Sequence, residues 1–176
     1  MSELRKTNTD HPYFLTLTVA GWIDVFTRQR YNDEVIKNLA YCMNHKGLEV
    51  FEYVIMPSHI HLIARCLNGN LSDVLRDFKS YTAKSILKMI EEEPGESRRE
   101  WLLHMFKYYA KFQQQNANYM FWEKTNHPIE LSWGLILQQK IEYIHHNPVK
   151  AGYVVDPTAW YYSSACAMSP LKISVW

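Results

Sequence analysis

One short segment constrains the fold of this chain more than any other: residues 54–65, which read VIMPSHIHLIAR. Most of its side chains are apolar, and two histidines, His59 and His61, lie two positions apart. Side chains alternate between the two faces of a strand, so both imidazoles must point to one face, about 6–7 Å apart along the chain. The apolar residues that alternate with them, beginning with Ile60, then line the opposite face as the buried side.

Two imidazoles on one strand face can bind a single divalent metal ion. A His-x-His pair also occurs by chance, and the alternative is that neighbouring groups satisfy both rings. The apolar setting favours the metal site, because unpaired imidazoles would be costly to bury there.

The composition limits the class of protein. The chain has 176 residues, 47% of them hydrophobic, which suits one globular domain with a substantial core. No apolar stretch approaches a membrane span and the N-terminus is polar, so we expect a cytoplasmic protein without a membrane partner. Three dispersed cysteines indicate neither a disulfide framework nor a zinc ribbon. With a net charge of only +1, any contact with nucleic acid needs a local basic surface.

Hydrophobic periodicity predicts an α+β fold. The expected order is strand, helix, strand, strand, helix, an inserted helix, strand and helix. Without the insert, this order matches the split β-α-β pattern of a ferredoxin-like (RRM-like) antiparallel sheet, with helices on one face and the two histidines on a central strand. The predicted strands cover residues 13–19, 48–55, 58–66 and 119–124, and the predicted helices cover residues 31–46, 72–90, about 97–112 and about 132–147.

The predicted domain organisation is simple. Residues 1–11 are expected to form a flexible lead-in, residues 12–176 one domain, and residues 149–176 a C-terminal tail that packs back on the body. Pro148 is expected to end the last helix, because proline lacks the backbone N–H that continues a helix.

The last predicted helix carries a second pair of polar residues. Tyr143 and Asn147 are four residues apart, so their side chains project from one side of the helix. Leu137, Ile141 and Ile144 form its buried stripe. By residue type alone, a packing tyrosine and a helix-ending asparagine are the commoner interpretations.

Taken together, these segments resemble the motifs of the single-tyrosine HUH transposases, most closely the REP-associated tyrosine transposase branch. The histidine motif lies in residues 53–63, YVIMPSHIHLI, and the tyrosine motif in residues 143–152, YIHHNPVKAG. Residues 160–164, WYYSS, resemble the trailing W-x-x-S-S of the family, and residues 78–81 resemble its intervening helix. The likeness spans about residues 12–166 with order and spacing intact, which makes it far more specific than either motif alone.

The resemblance implies a DNA-binding transposase and endonuclease that acts in DNA recombination and transposition. Its substrate would be single-stranded DNA next to a DNA hairpin. Tyr143 would attack the scissile phosphate and hold the 5′ end as a phosphotyrosine ester. Relatives are monomers or dimers that exchange the tyrosine helix, so the expected partners include a second copy in a homodimer.

The resemblance also implies a metal site. His59 and His61 would bind Mg²⁺ or Mn²⁺, between which imidazole, amide and water ligands do not choose. In the family pattern, an amide or acidic residue four positions past the tyrosine completes the site, and here that residue is Asn147. His146 and Gln139 are the alternatives for this third ligand.

Basic and aromatic side chains supply candidates for DNA contact. A charged side of the helix over residues 72–90 suits phosphates, although it could equally be a solvated face. Tyr108, Tyr109 and Trp122 could stack on unpaired bases or belong to the core. A functional alternative of a different class is an RRM-like, non-catalytic nucleic-acid-binding module, since the same sheet serves both. The candidate DNA-binding residues are Arg76, Lys79, Lys84, Lys88 and Lys150.

Overall fold

The computed structural model describes residues 11–67, 69–112, 118–131 and 134–176, so the predicted lead-in lies almost entirely outside the described residues. Two short 3-10 turns, Ala20–Trp22 and Pro157–Ala159, supplement the regular elements. The strands are β1 (Tyr13–Thr18), β2 (Leu48–Met56), β3 (His59–Cys66) and β4 (Ile129–Glu130), and the helices are α1 (Gln29–His45), α2 (Leu71–Glu92), α3 (Arg99–Lys111) and α4 (Leu135–Lys150).

The four strands form one sheet in the order β2-β3-β1-β4, with every neighbouring pair antiparallel. This is the strand order of a split β-α-β sheet, so the predicted ferredoxin-like α+β fold is confirmed. β3 lies between β2 and β1, as expected for the histidine-bearing strand. Met56 pairs with His59 across a two-residue turn, which places His59 at the first position of β3.

The two faces of the sheet carry different helices. α1 and α2 cover the face that holds Leu15 and Leu62, and together they form the larger core. α4 covers the opposite face and buries Leu137 and Ile144 against residues such as Phe14 and Ile63. Because His59 and His61 alternate with the residues of the larger core, both point to the face that α4 covers.

The fourth strand differs from the prediction. The expected strand over residues 119–124 is wrong, since this segment makes only an isolated bridge between Val19 and Trp122, and β4 is the short pair that follows it. Phe121 and Trp122 are buried in the larger core. The aromatic density of the segment therefore reflects burial beside β1 rather than a regular strand.

The last helix extends beyond the predicted end. α4 includes Pro148 and ends at Lys150, so the expectation that Pro148 ends the helix was wrong. Pro148 is buried in the last turn, where its missing N–H removes only one helical hydrogen bond. Gly152, with a φ of +77°, follows the helix and provides the left-handed residue that commonly ends one. At the other end, α4 begins at Leu135, and residues 132 and 133 lie outside the described residues.

The C-terminal tail packs back on the sheet, as predicted. Ile55 N donates to Tyr162 O at 2.9 Å, and Ser164 N donates to Tyr53 O at 3.0 Å, so this part of the tail runs along the free edge of β2. Trp160 Nε1 donates to Ile55 O at 2.9 Å. Among the described helices, none is long and apolar enough to cross a membrane.

Candidate active site

The two histidines of β3 lie side by side, with ring centroids 4.8 Å apart. The His61 side chain is buried, at 4% exposure, and its Nδ1 is 3.0 Å from Thr16 Oγ1 on β1. The Nε2 of His61 is also buried, and no described residue forms a hydrogen bond with it. One nitrogen of this imidazole is thus oriented by Thr16, while the other is left for a further ligand.

Burial keeps both imidazoles uncharged. It lowers the pKa of His61 to about 3, an effect that the nearby His59 and Lys140 reinforce. Burial also lowers the pKa of His59 from its ordinary value. Both rings are therefore neutral near pH 7, which is the form that coordinates a metal ion.

α4 brings Tyr143 and Asn147 to the histidines within a single chain. The Tyr143 ring centroid is 5.1 Å from that of His61, and the Asn147 side chain lies beside His59, where it acts to raise the pKa of that imidazole against the effect of burial. Tyr143 is also 37% exposed, so solvent can reach its side chain. The two predicted pairs of polar residues therefore meet, although their catalytic and metal-binding roles stay predictions.

The two alternatives to Asn147 are both exposed to solvent. His146 is exposed, and its Nδ1 is 3.1 Å from Glu142 O on its own helix. Gln139 is exposed as well. Within the described part of the chain, no three His, Cys, Asp or Glu side chains cluster as a metal site. Asn147 supplies an amide beside His59.

Two ammonium groups flank the tyrosine ring. Lys150 Nζ is 5.5 Å from the Tyr143 ring centroid, and Lys140 Nζ is 5.5 Å from the same centroid and 4.4 Å from that of Phe14. Lys150 was among the predicted DNA contacts, whereas Lys140 was not. Helical spacing nevertheless indicates the position of Lys140, because a residue three positions before Tyr143 lies on the same side of the helix.

The other predicted DNA contacts lie on α2, on the opposite face of the sheet from the histidines. Arg76 is exposed but forms ion pairs with Asp73 at 2.7 Å and with Asp77 at 3.1 Å. Lys84 and Lys88 are exposed to solvent on the same helix. The structure therefore does not bring these three residues to Tyr143.

Lys79 points inward. Its Nζ donates to Glu123 O at 2.5 Å and to Asn126 Oδ1 at 2.8 Å. Burial lowers the pKa of Lys79 to about 8. Asn126 O in turn accepts a hydrogen bond from Thr16 N at 2.9 Å. Lys79 thus holds the segment that runs beside β1, close to the threonine that orients His61.

The three aromatic candidates for base stacking differ in their surroundings. Trp122 is buried in the larger core, and its Nε1 donates to Thr82 Oγ1 at 3.1 Å, so its ring is closed to a nucleotide. Tyr109 is half-buried, and Tyr108 is exposed. Only Tyr108 of the three therefore presents an open ring.

A buried polar network fixes α4 on the sheet. Glu52 of β2 is only 8% exposed, and its Oε2 accepts from Ser164 Oγ at 2.6 Å and from His145 Nε2 at 2.8 Å. Ser164 Oγ also accepts from Tyr53 N at 3.1 Å. The network joins β2, α4 and the C-terminal tail two residues from Tyr143. In the sequence, this network is indicated by a glutamate, Glu52, within the apolar run VFEYVI.

Comparisons with known proteins identify a family and a similar fold. Residues 9–110 match the family described as IS200-like transposase. A solved structure, described as a REP-associated tyrosine transposase bound to a REP hairpin, aligns with a TM-score of 0.63 and 17% identity over 93% of this chain and 82% of that chain. A search of curated proteins gave no match. The family match includes both histidines of β3, whereas α4 lies beyond it.

Proposed function

This chain belongs to the IS200-like transposase family, and from that premise we propose that it cleaves and rejoins single-stranded DNA with Tyr143 as the nucleophile. The observation that carries the proposal is the approach of Tyr143 to within 5.1 Å of His61, measured between ring centroids. The position of the Asn147 side chain beside His59 supports it from the same helix. A nucleophile and a set of metal ligands thus share one side of the sheet.

The proposed reaction is an exchange of phosphate esters. The Tyr143 hydroxyl attacks the scissile phosphorus and loses its proton to solvent, a new O–P bond forms, and the bond from phosphorus to the 3′ oxygen breaks. The 3′ oxygen takes up a proton, and the 5′ end stays on the enzyme as a phosphotyrosine ester. Attack by a 3′ hydroxyl on this ester rejoins the strand, so no nucleotide cofactor is needed. Lys140 and Lys150 place positive charge beside the Tyr143 ring, where they would favour the anionic phosphate.

HUH-type transposases generally use a divalent metal ion, and the residues present fit one. His59, His61 and Asn147 would hold Mg²⁺ or Mn²⁺, because His61 keeps a buried Nε2 without a protein partner and both imidazoles are neutral. When bound, the ion would polarise the scissile phosphate and offset charge on the leaving 3′ oxygen. On the protein side of this site, Thr16 orients His61 and Ser58 orients His59, since Ser58 Oγ lies 3.2 Å from His59 Nδ1.

We propose a DNA hairpin with an adjacent single strand as the substrate, and the cytoplasm as the place of action. The structural neighbour described as a REP-associated transposase is bound to a REP hairpin, and its fold covers nearly the whole of this chain. Tyr143 is 37% exposed, so a phosphate of the single strand can reach it from solvent. Lys150, at the end of α4, is the predicted DNA contact nearest to this point.

The test is the covalent adduct itself. The protein is incubated with labelled hairpin oligonucleotides that carry single-stranded flanks, in Mg²⁺ or Mn²⁺, and the products are separated under denaturing conditions. We expect a protein–DNA adduct that is absent in EDTA and absent from Tyr143→Phe. The matched control Tyr153→Phe changes an exposed tyrosine outside the site and should keep the adduct. DNA binding by the unmodified protein without any adduct would instead support the non-catalytic, RRM-like module.

A further inference from the structure

The turn after β1 presents a tryptophan in an unusual backbone conformation. The φ of Trp22 is +57°, in the left-handed region that a bulky side chain rarely adopts. Its side chain is 61% exposed, so core packing does not offset the conformational cost. Residues held in this way concentrate at functional sites, where the surrounding structure fixes them.

The neighbours of Trp22 fix this turn. Gly21 precedes it with a φ of +63°, and a Cβ added to Gly21 would lie 2.2 Å from the Tyr109 ring of α3. Gly21 N donates to Glu123 Oε1 at 3.2 Å, and Trp22 N donates to Val19 O at 2.9 Å. The turn is thus clamped between α3 and the segment beside β1, and the indole ring is held out into solvent.

The exposed indole stands next to the candidate active site. Its ring centroid is 5.2 Å from that of His59, with the two rings in an edge-to-face arrangement. On the side of α3, Tyr109 contacts Tyr108 at 5.5 Å between ring centroids, and Tyr108 contacts Phe112 at 5.0 Å. Tyr108 and Phe112 are exposed. Exposed rings therefore lie both beside the histidines and on α3, whose Tyr109 contacts the turn at Gly21.

We propose that Trp22 stacks on an unpaired base next to the scissile phosphate, and that Tyr108 and Phe112 receive further nucleotides of the same strand. Aromatic rings bind successive bases of single strands with little sequence preference, because every base has a π-face. Lys107 and Lys111 are exposed on α3 and provide charge for the backbone. This inference rests on the proposed function, since it states how that active site holds its single-stranded substrate.

The experiment measures binding without cleavage, in a Tyr143→Phe background. Fluorescence anisotropy follows two probes: a mixed-sequence single strand of about 12 nucleotides, within the usual span of such sites, and a blunt hairpin without flanks. Trp22→Gly removes the ring and accepts the positive φ, so the fold should be kept, which thermal unfolding checks. We expect roughly 5- to 150-fold weaker binding of the single strand and unchanged binding of the hairpin.

Two further variants sharpen the result. Trp22→Phe keeps an aromatic ring and should recover most of the affinity for the single strand. Tyr41→Ala removes an exposed ring from α1, on the far side of the sheet, and should leave binding unchanged.

The outcomes separate this inference from the proposed function. If Trp22→Gly binds the single strand within about twofold of its parent, or loses the hairpin equally, base stacking by Trp22 is overturned while the proposed function stands. If the Tyr143→Phe parent binds neither probe, the proposed function fails as well.

Discussion

Acid should destabilise the metal-free protein through His61 in particular. In the folded chain the ring is buried and its pKa is lowered to about 3, whereas an unfolded chain gives histidine a pKa of about 6.5. The unfolded chain therefore takes up the proton first. The stability that the neutral ring contributes is present above about pH 6.5 and is lost as the pH falls towards the folded-state pKa.

The structure sets the size of the effect. Each unit of pKa difference corresponds to about 1.4 kcal/mol, so full titration of His61 would cost on the order of 5 kcal/mol. At about pH 4 the pH is roughly 2.5 units below the pKa of the unfolded chain but still above that of the folded chain. The free energy of unfolding is then lower by roughly 3 kcal/mol than at pH 7. Domains of this kind are stable by only about 5–15 kcal/mol, so the loss is readily measured.

Urea denaturation in EDTA, followed by circular dichroism from about pH 7 to about pH 4, provides the assay. His61→Gln is the matched variant, because it keeps a polar side chain and cannot take up the proton. Carboxylates titrate in both proteins and cancel in the difference. The free energy of unfolding of the wild type should fall by roughly 3 kcal/mol more than that of the variant. Parallel pH profiles would refute the conclusion that His61 is buried as a neutral ring.

Three further predictions concern the turn, the network and the lysine. Gly21→Ala should lower the free energy of unfolding by about 1–3 kcal/mol, because the new Cβ meets the Tyr109 ring. Gly152→Ala should cost less, since Gly152 has a similar φ but open space around its Cα. Equal costs in thermal unfolding would argue against the clash. Glu52→Gln should destabilise the protein by about 1–3 kcal/mol in the same assay, because the buried network loses its charged acceptor, and an unchanged melting temperature would exclude that contribution. Lys140→Met should slow adduct formation about tenfold without changing stability, because it removes the positive charge beside Tyr143. Lys140→Arg keeps that charge and should keep most of the rate. Rates equal to wild type in both variants would remove Lys140 from the mechanism.

Local periodicity was sufficient to predict much of this fold. Alternation along β3 placed His59 and His61 on one face, and helical spacing placed Tyr143 and Asn147 on one side of α4. The resemblance to the single-tyrosine HUH transposases linked the two pairs in the sequence. In the fold they meet because a split β-α-β sheet leaves one face free for a last helix. The family match confirms the predicted kind of protein, while the role of each site residue stays a prediction.

The features that the sequence did not predict depend on contacts between distant segments. Lys79 has the spacing of a surface lysine, but a loop more than forty residues later accepts its ammonium. The buried carboxylate of Glu52 is satisfied by His145 and Ser164, each about a hundred residues away. The strained φ of Trp22 depends on the contacts of its turn with α3 and with the loop beside β1. Spacing along the chain contains no information about such pairs.

The network around Glu52 also governs how copies of this chain could share a helix. If α4 left its own sheet, Glu52 would lose its His145 donor, and the apolar residues that α4 covers would be exposed. A helix from another copy, seated in the same register, would restore both. Any exchange of α4 between copies must therefore reproduce the contact between His145 and Glu52, whatever the number of chains that take part.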